Sequence, residues 1–288
     1  MQGKKRVVLC PNPYKDIGLR VTMQAAGLLR EAGYEVLISA EYLEGDERLD
    51  MPGIQNLELD EAVKGAVLVV PLGGDGTFMH TARRMIGHSI PMIGVNLGTI
   101  GFLTELESTE LHMLIEAAEG RFVSSPRMML EITAERGGRQ VFHDYALNDA
   151  VLHGISQTIH IDARGDGREI TAFSGDGIVV ASPTGSTAYS MAAGGPLVEP
   201  TAENIILTPI CAHALAARSF VLAPDRVVTV RVGCPRNRRA IMSVDGGNFE
   251  LVDGDTVRIV KSRYKTLLAH MGTKAFYDIV FEKLGERK

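Results

Sequence analysis

Residues 66–72, Ala-Val-Leu-Val-Val-Pro-Leu, are apolar at every position and run without a break into Gly73-Gly74-Asp75-Gly76-Thr77. A strand with one solvated face alternates apolar and polar side chains. A strand apolar on both faces needs cover on both, which is the environment of a parallel sheet between helices. After the glycines, Thr77 to Ile86 reads as a helix stopped by Gly87. Strand, glycine turn and helix together put the turn at the carboxyl end of a strand, where open α/β sheets bind ligands.

The same alternation runs through the first 125 residues. Arg6 to Cys10 predicts a short strand ending at Pro11-Asn12-Pro13. Gly18 to Ala32 predicts a helix, with Leu19, Met23, Ala26 and Leu29 near helical spacing and Gly33 at its end. Glu35 to Ser39 and Pro91 to Val95 predict further strands, and Ser108 is placed to cap a helix bearing Leu111, Leu114, Ile115 and Ala118, closed by Gly120. This order argues for a doubly wound α/β domain over 1–125. Beyond Ser124-Ser125-Pro126 the signals become short strands and turns. Met128 to Ala134 and Gln140 to His153 flank Gly137-Gly138, and Val227 to Val232 and Thr256 to Val260 add strands. Further turns fall at Gly165-Asp166-Gly167 and Gly246-Gly247. A mainly β domain is expected over 126–265. The last segment, 266–288, carries a helix from Ala275 to Leu284 that is expected to return to the first domain.

A chain of 288 residues is too long for one ordinary core and suits two domains. Its net charge of −5 gives no overall attraction to nucleic acid or to an anionic membrane. The apolar runs are strand-sized, far below the ~20 residues of a spanning helix. The basic N-terminal residues are followed by only Val7-Val8-Leu9-Cys10 before Pro11, short of the ~7–15 residues of a secretory apolar region. Cys10, Cys211 and Cys234 are odd in number and scattered. They fit neither a disulfide framework nor a zinc spacing, and suit small buried residues of a cytoplasmic protein.

Glycines let phosphate oxygens approach backbone N–H groups, and the helix that follows offers free donors and a favourable dipole. Gly73, Gly74, Gly76 and Thr77 are therefore candidates to hold donor phosphates. The pattern is neither the lysine-containing P-loop nor the dehydrogenase fingerprint. It differs in carrying a carboxylate. Asp75 would repel phosphate unless it holds Mg²⁺ or accepts a proton from an attacking hydroxyl. A plain Asp-Gly turn is the alternative reading of these residues.

Gly73 to Thr77 resembles the signature of a superfamily that includes the NAD kinases, the diacylglycerol-type lipid kinases and, more distantly, the phosphofructokinases. Other segments choose among them. Asn96-Leu97-Gly98-Thr99-Ile100-Gly101-Phe102-Leu103 is similar to an NAD kinase segment whose aromatic residue lies near the adenine. Asn148-Asp149 stands where the family has Asn-Glu on ribose hydroxyls. Asp176 through Tyr189, read on through Ala193-Gly194-Gly195-Pro196, resembles the family's longest motif, with Ala192 where serine is usual. Pro209 to Leu215 is similar to another, with Ala212 in place of proline and His213 read as a structural hydrogen-bonding residue. Ser243-Val244-Asp245-Gly246-Gly247 resembles a last one, with Gly247 in place of glutamine.

The chain is thus identified from its sequence as resembling the ATP/polyphosphate-NAD kinase family. The resemblance implies phosphorylation of the 2′-hydroxyl of the adenosine ribose of NAD by ATP to give NADP, with Mg²⁺ or another divalent cation. It implies Asp75 as catalytic base. NAD would lie between the two domains, with help from a neighbouring subunit. Its binding residues would be Gly76, His80, Phe102, Asn148, Asp149, Asp176, Thr187, Ala188, Tyr189, Ser190, Ala192 and Gly247. It implies a homodimer or homotetramer, and no nucleic-acid or membrane partner. Two other readings are a lipid kinase, which would have no use for the Asp176–Tyr189 segment, and a nucleotide sensor, which would have no use for the base.

Overall fold

The computed structural model describes residues 5–39, 53–99, 101–155, 157–214, 217–234, 239–272 and 275–285. Ile100 and Leu215, from two of the segments above, lie outside the described residues, as do residues 1–4 of the basic N-terminus. The chain divides into two compact units, Met1–Pro126 with Thr266–Lys288, and Arg127–Lys265.

In the first unit, β1 (Arg6–Pro11), β2 (Glu35–Ile38), β3 (Gln55–Asn56), β4 (Ala66–Gly73), β5 (Gly94–Asn96) and β6 (Thr104–Glu107) form a parallel sheet in the order β3-β2-β1-β4-β5-β6. The apolar run is strand β4 beside β1, and Leu68, Val69, Val70 and Leu72 are all fully buried. Strand order reverses between β1 and β4, so the loops leaving their carboxyl ends flank the switch point of the sheet. Helices α1 (Arg20–Glu31), α2 (Leu59–Ala62), α3 (Asp75–Arg84) and α4 (Met113–Ala118) complete the alternation, and Leu29 of α1 and Leu114 of α4 join the core with Leu9 and Val70. Helix α3 starts at Asp75 itself, two residues earlier than the apolar spacing suggests. Ser108 does not cap α4. The chain turns through residues 108–112 first, with the Glu110 carboxylate taking the Glu107 N–H at 2.9 Å, and the helix begins at Met113.

The second unit holds two antiparallel sheets. One runs β11-β10-β15-β18-β7-β8, from β7 (Val123–Arg136), β8 (Arg139–Ala146), β10 (Ile159–Gly165), β11 (Arg168–Gly175), β15 (Val228–Gly233) and β18 (Thr256–His270). The other runs β14-β13-β12-β9-β16-β17, from β9 (Asp149–Gly154), β12 (Gly177–Ala181), β13 (Ile205–Ile210), β14 (Phe220–Leu222), β16 (Ala240–Val244) and β17 (Gly247–Leu251). Alternate residues face one shared core, including Ile159, Ile161 and Ala163 of β10 and Val228, Val230 and Val232 of β15, the period-two pattern of strands with one covered face. The remaining faces of β9, β12 and β13 are also covered, by Ala193 and Val198 among others, which is why Gly177–Ala181 is apolar throughout.

In the second unit, two further expectations change. Gln140 to His153 is not one strand. It breaks at Leu147-Asn148 into β8 and β9, which belong to different sheets. The last hairpin turns on Asp245-Gly246, both at positive φ, and Gly247 already pairs with Val244. Helix α5 (Tyr189–Ala192) follows the 3-10 turn Thr184–Thr187, and helix α6 (Phe276–Leu284) ends the described chain. Among the described residues no helix is long and apolar enough to cross a membrane.

Candidate active site

The first unit places Asp75 at the start of α3, with only Gly74 between it and a strand that is buried from Leu68 to Gly73. Its two carboxylate oxygens accept the backbone N–H groups of Phe102 (2.8 Å) and Leu103 (3.0 Å). The loop after β5 therefore closes on the aspartate and fixes its orientation. Each carboxylate oxygen has a second lone-pair direction, so Asp75 can still accept a proton or reach a cation. Gly101 has to be glycine here, because a Cβ would overlap the Asp75 Oδ1 and the Thr104 Oγ1. Gly73 is pressed in the same way against Thr77, whose hydroxyl receives the Asn12 Nδ2 at 3.0 Å. Asn12 also donates its N–H to the Leu72 carbonyl at 2.9 Å. It was not singled out in the sequence, although its place just after the first strand was a usable signal.

Phe102 is half-buried, with the Lys283 ammonium of α6 over its ring at 4.2 Å from the centroid, a cation–π contact. His80 lies further along α3. Burial first, then Arg84 and Arg83, lower its pKa, so at neutral pH it is an uncharged imidazole and a weak partner for an anion.

In the second unit, three of the sequence segments meet at one corner. The Asp245 carboxylate, projected from its hairpin turn, accepts three consecutive backbone N–H groups, from Leu147 (2.7 Å), Asn148 (3.0 Å) and Asp149 (3.1 Å). On the other side, Ser182 donates its N–H to the Asn148 carbonyl at 2.8 Å and its hydroxyl to the Leu147 carbonyl. Gly185 donates its N–H to the Ser182 Oγ at 3.2 Å. Asn148 and Asp149 are 9% and 8% exposed. Burial, and then the neighbouring Asp245, push the Asp149 carboxyl up to about 7.

That shift has a sign. The folded state keeps a proton on Asp149 that the unfolded chain, with an ordinary value of 3.8, releases. Stability is therefore lost as pH rises from about 4 through about 7. Asp149→Asn removes this titration. It is expected to raise the melting temperature relative to the parent at pH 8, with the gain vanishing near pH 4. A gain equal at both pH values in thermal unfolding would refute the shift.

Asp176 and Tyr189 line a cavity of about 330 Å³ with His153, Gly154, Gln157 and Ile210. His153 and Gln157 carried no motif signal. Asp176 also hydrogen-bonds the Cys211 thiol and raises its pKa. Tyr189 is 46% exposed, whereas Ser190 is fully buried and shares a 3.1 Å hydrogen bond with Thr208. Thr187 Oγ1 donates to the Thr184 carbonyl at 3.3 Å. Thr187 and Ala188 are half-buried, Ala192 is exposed, and Gly247 is half-buried beside the Asp245 turn. Gly76 is exposed on the first turn of α3. Among the described residues no cluster of three or more His, Cys, Asp or Glu side chains is arranged to hold a metal ion.

Comparison with known proteins covers both units. A family model described as the ATP-NAD kinase N-terminal domain matches residues 7–120, and one described as the ATP-NAD kinase C-terminal domain matches residues 147–271. The NAD kinase of Ruminiclostridium cellulolyticum is 36% identical over 288 residues, 99% of each chain. That of Natranaerobius thermophilus is 34% identical over 286 residues, 97% of this chain and 98% of the relative. The crystal structure of yeast NADH kinase complexed with NADH superposes with a TM-score of 0.85 at 25% identity, covering 99% of this chain and 89% of that one. An NAD kinase from Archaeoglobus fulgidus in complex with ATP shares the fold, with a TM-score of 0.74 at 23% identity over 97% of this chain and 98% of that one.

Proposed function

Because the chain belongs to the ATP-NAD kinase family, we propose that it transfers the terminal phosphoryl group of ATP to the 2′-hydroxyl of the adenosine ribose of NAD, giving NADP and ADP. The observation that carries this reading is the Asp75 carboxylate, pinned by two backbone N–H groups at a glycine turn that opens a helix. An alcohol is a poor nucleophile at neutral pH, so a positioned base is needed. Asp75 takes the hydroxyl proton, the ribose oxygen bonds to the γ-phosphorus, and the bond from that phosphorus to the bridging oxygen breaks to release ADP. Gly73, Gly74, Gly76 and Thr77 hold the donor phosphates with backbone N–H groups and the helix dipole. In the second unit, Asn148, Asp149, Asp176, Thr187, Ala188 and Tyr189 are the proposed NAD-positioning residues, with Ser190, Ala192 and Gly247 as further contacts; in the first unit the proposed NAD contacts are Gly76, His80 and Phe102.

A single carboxylate at the turn fits Mg²⁺ that is held chiefly by the nucleotide's phosphates, since this ion commonly takes one or two carboxylates and keeps the rest of its shell as phosphate oxygens and water. When bound, it neutralises charge on the transferring group; Asp75 is the residue that would reach it. We place the enzyme in the cytoplasm as a homodimer or homotetramer. Among the described residues Cys10, Cys211 and Cys234 form no disulfide, which suits a reducing compartment, and size-exclusion chromatography with light scattering tests the assembly.

The deciding assay offers NAD, NADH and diacylglycerol to the enzyme with ATP and locates the new phosphate by ³¹P NMR. Phosphate on the 2′-hydroxyl of a dinucleotide is expected; phosphate on the lipid alone would overturn the reading. Gly101→Ala gives a second test. Its added methyl group collides with the Asp75 carboxylate, so NADP formation should fall by about 10-fold or more, although no group that touches substrate has been removed. A parent-like rate would mean that Asp75 need not hold this orientation.

A further inference from the structure

We propose that Lys15, on the loop between β1 and α1, is a phosphate-binding residue that meets the terminal phosphates of the nucleotide donor at the glycine turn. The inference rests on the kinase reading above. Its ammonium stands 2.5 Å from where a Cβ on Gly74 would lie and 3.6 Å from the corresponding position on Gly98. It thus occupies the space left by two glycines, one from the turn after β4 and one from the turn after β5.

The lysine is held there by its backbone. Its N–H and that of Asp16 both bond the Asn12 carbonyl, at 3.0 and 2.8 Å, and Asn12 is tied to Leu72 and Thr77 as described. Beyond Lys15, the buried Asp16 carboxylate accepts the N–H groups of Val21 (3.0 Å) and Thr22 (2.8 Å) and the Thr22 hydroxyl (2.6 Å). Both flanks of the residue are therefore anchored, one of them to the threonine of the glycine turn. The loop leaves β1 and the turn leaves β4, on either side of the point where strand order reverses.

Charge supplies the reason. The helix N-terminus attracts a polyphosphate, but Asp75 in the same turn opposes it. Beyond the Mg²⁺ that the nucleotide carries, a fixed protein cation would offset that carboxylate where several phosphate charges settle. Arg83 and Arg84 stand at the far end of α3, roughly 13 Å along its axis. His80 is uncharged at neutral pH because burial lowers its pKa, and the Lys283 ammonium lies on the Phe102 ring. Lys15 is exposed, and among the described residues no ion pair joins it to a carboxylate. A lysine on a glycine cradle acts on phosphate as a point charge, which does not require the fixed fork of an arginine.

The test titrates AMP, ADP and ATP with Mg²⁺ into the full-length parent, Lys15→Ala and Lys15→Gln by calorimetry, and measures steady-state NADP formation for the same proteins. Loss of a charge-assisted contact should weaken ATP binding and raise the KM for ATP by about 10- to 100-fold. AMP affinity and the KM for NAD should be unchanged, and Lys15→Arg should recover most of the loss. Parent-like ATP affinity in both neutral variants would overturn the inference, and so would an equal loss for AMP and ATP. If the parent makes no NADP, the reaction assigned above fails instead, and the AMP-against-ATP comparison still reads the lysine.

Discussion

Asp75→Asn is expected to lower the rate of NADP formation by about 10²- to 10⁴-fold, the range over which a positioned general base contributes. NAD affinity should stay at the parent value, because the groups assigned to NAD lie mainly on the Asn148–Asp149 and Thr187–Tyr189 segments. Asparagine keeps the shape of the side chain but only half of its role as an acceptor. Its carbonyl can take the N–H of Phe102 or of Leu103, and its amide group then faces the other donor. A modest fall in melting temperature should accompany the change, since hydrogen bonds to charged acceptors contribute about 1.5–3 kcal/mol each. Steady-state kinetics, NAD calorimetry and thermal unfolding on one preparation separate these effects. Recovery of the parent rate on raising Mg²⁺ would assign the carboxylate to the metal instead, and a parent-like rate in ordinary buffer would remove Asp75 from the reaction.

The strand, turn and helix that carry Asp75 were legible because each is dictated locally. Seven apolar residues demand cover on both faces, and the glycines allow close backbone approach. What holds the carboxylate was not legible. The Phe102 and Leu103 amides lie 27 and 28 residues further on, and nothing in residues 96–103 shows where their N–H groups point. The break at Leu147-Asn148 was hidden for the same reason. Residues 140–153 read as one extended run, and it is the Asp245 carboxylate, 96 to 98 residues away, that takes three successive amides and turns the chain between sheets. His80 shows a further limit. Burial and two neighbouring arginines lower its pKa, and those are properties of packing that no sequence pattern carries. Lys15 was passed over because a lone lysine in a loop has no local pattern; two glycines from other loops give it its place.

Gly185→Ala should have the largest effect on the second unit. The φ of Gly185 lies outside the positive range, so an alanine backbone is acceptable there and space alone decides. A Cβ would overlap the carbonyl oxygen of Asn148, with the carbonyl carbon and Cα of that residue close behind. These are backbone atoms at the start of β9 and cannot rotate aside. The turn must therefore move away from β9, pulling on the bonds by which Ser182 joins them. Overpacking of this kind costs about 1–3 kcal/mol, or more where nothing yields, and each kcal/mol lowers the melting temperature by about 2–4 °C in a chain approaching this size. The same displacement separates Asn148-Asp149 from Thr187–Tyr189, so NAD affinity should fall while ATP binding in the absence of NAD stays near the parent value. Gly194→Ala is the informative control. Gly194 has a φ of +84° and open space around its Cβ position, so alanine there strains the backbone without pushing the two segments apart. Its melting temperature should fall while NAD affinity is retained. Equal NAD affinity in the two variants would show that the approach of Gly185 to Asn148 does not shape the NAD site.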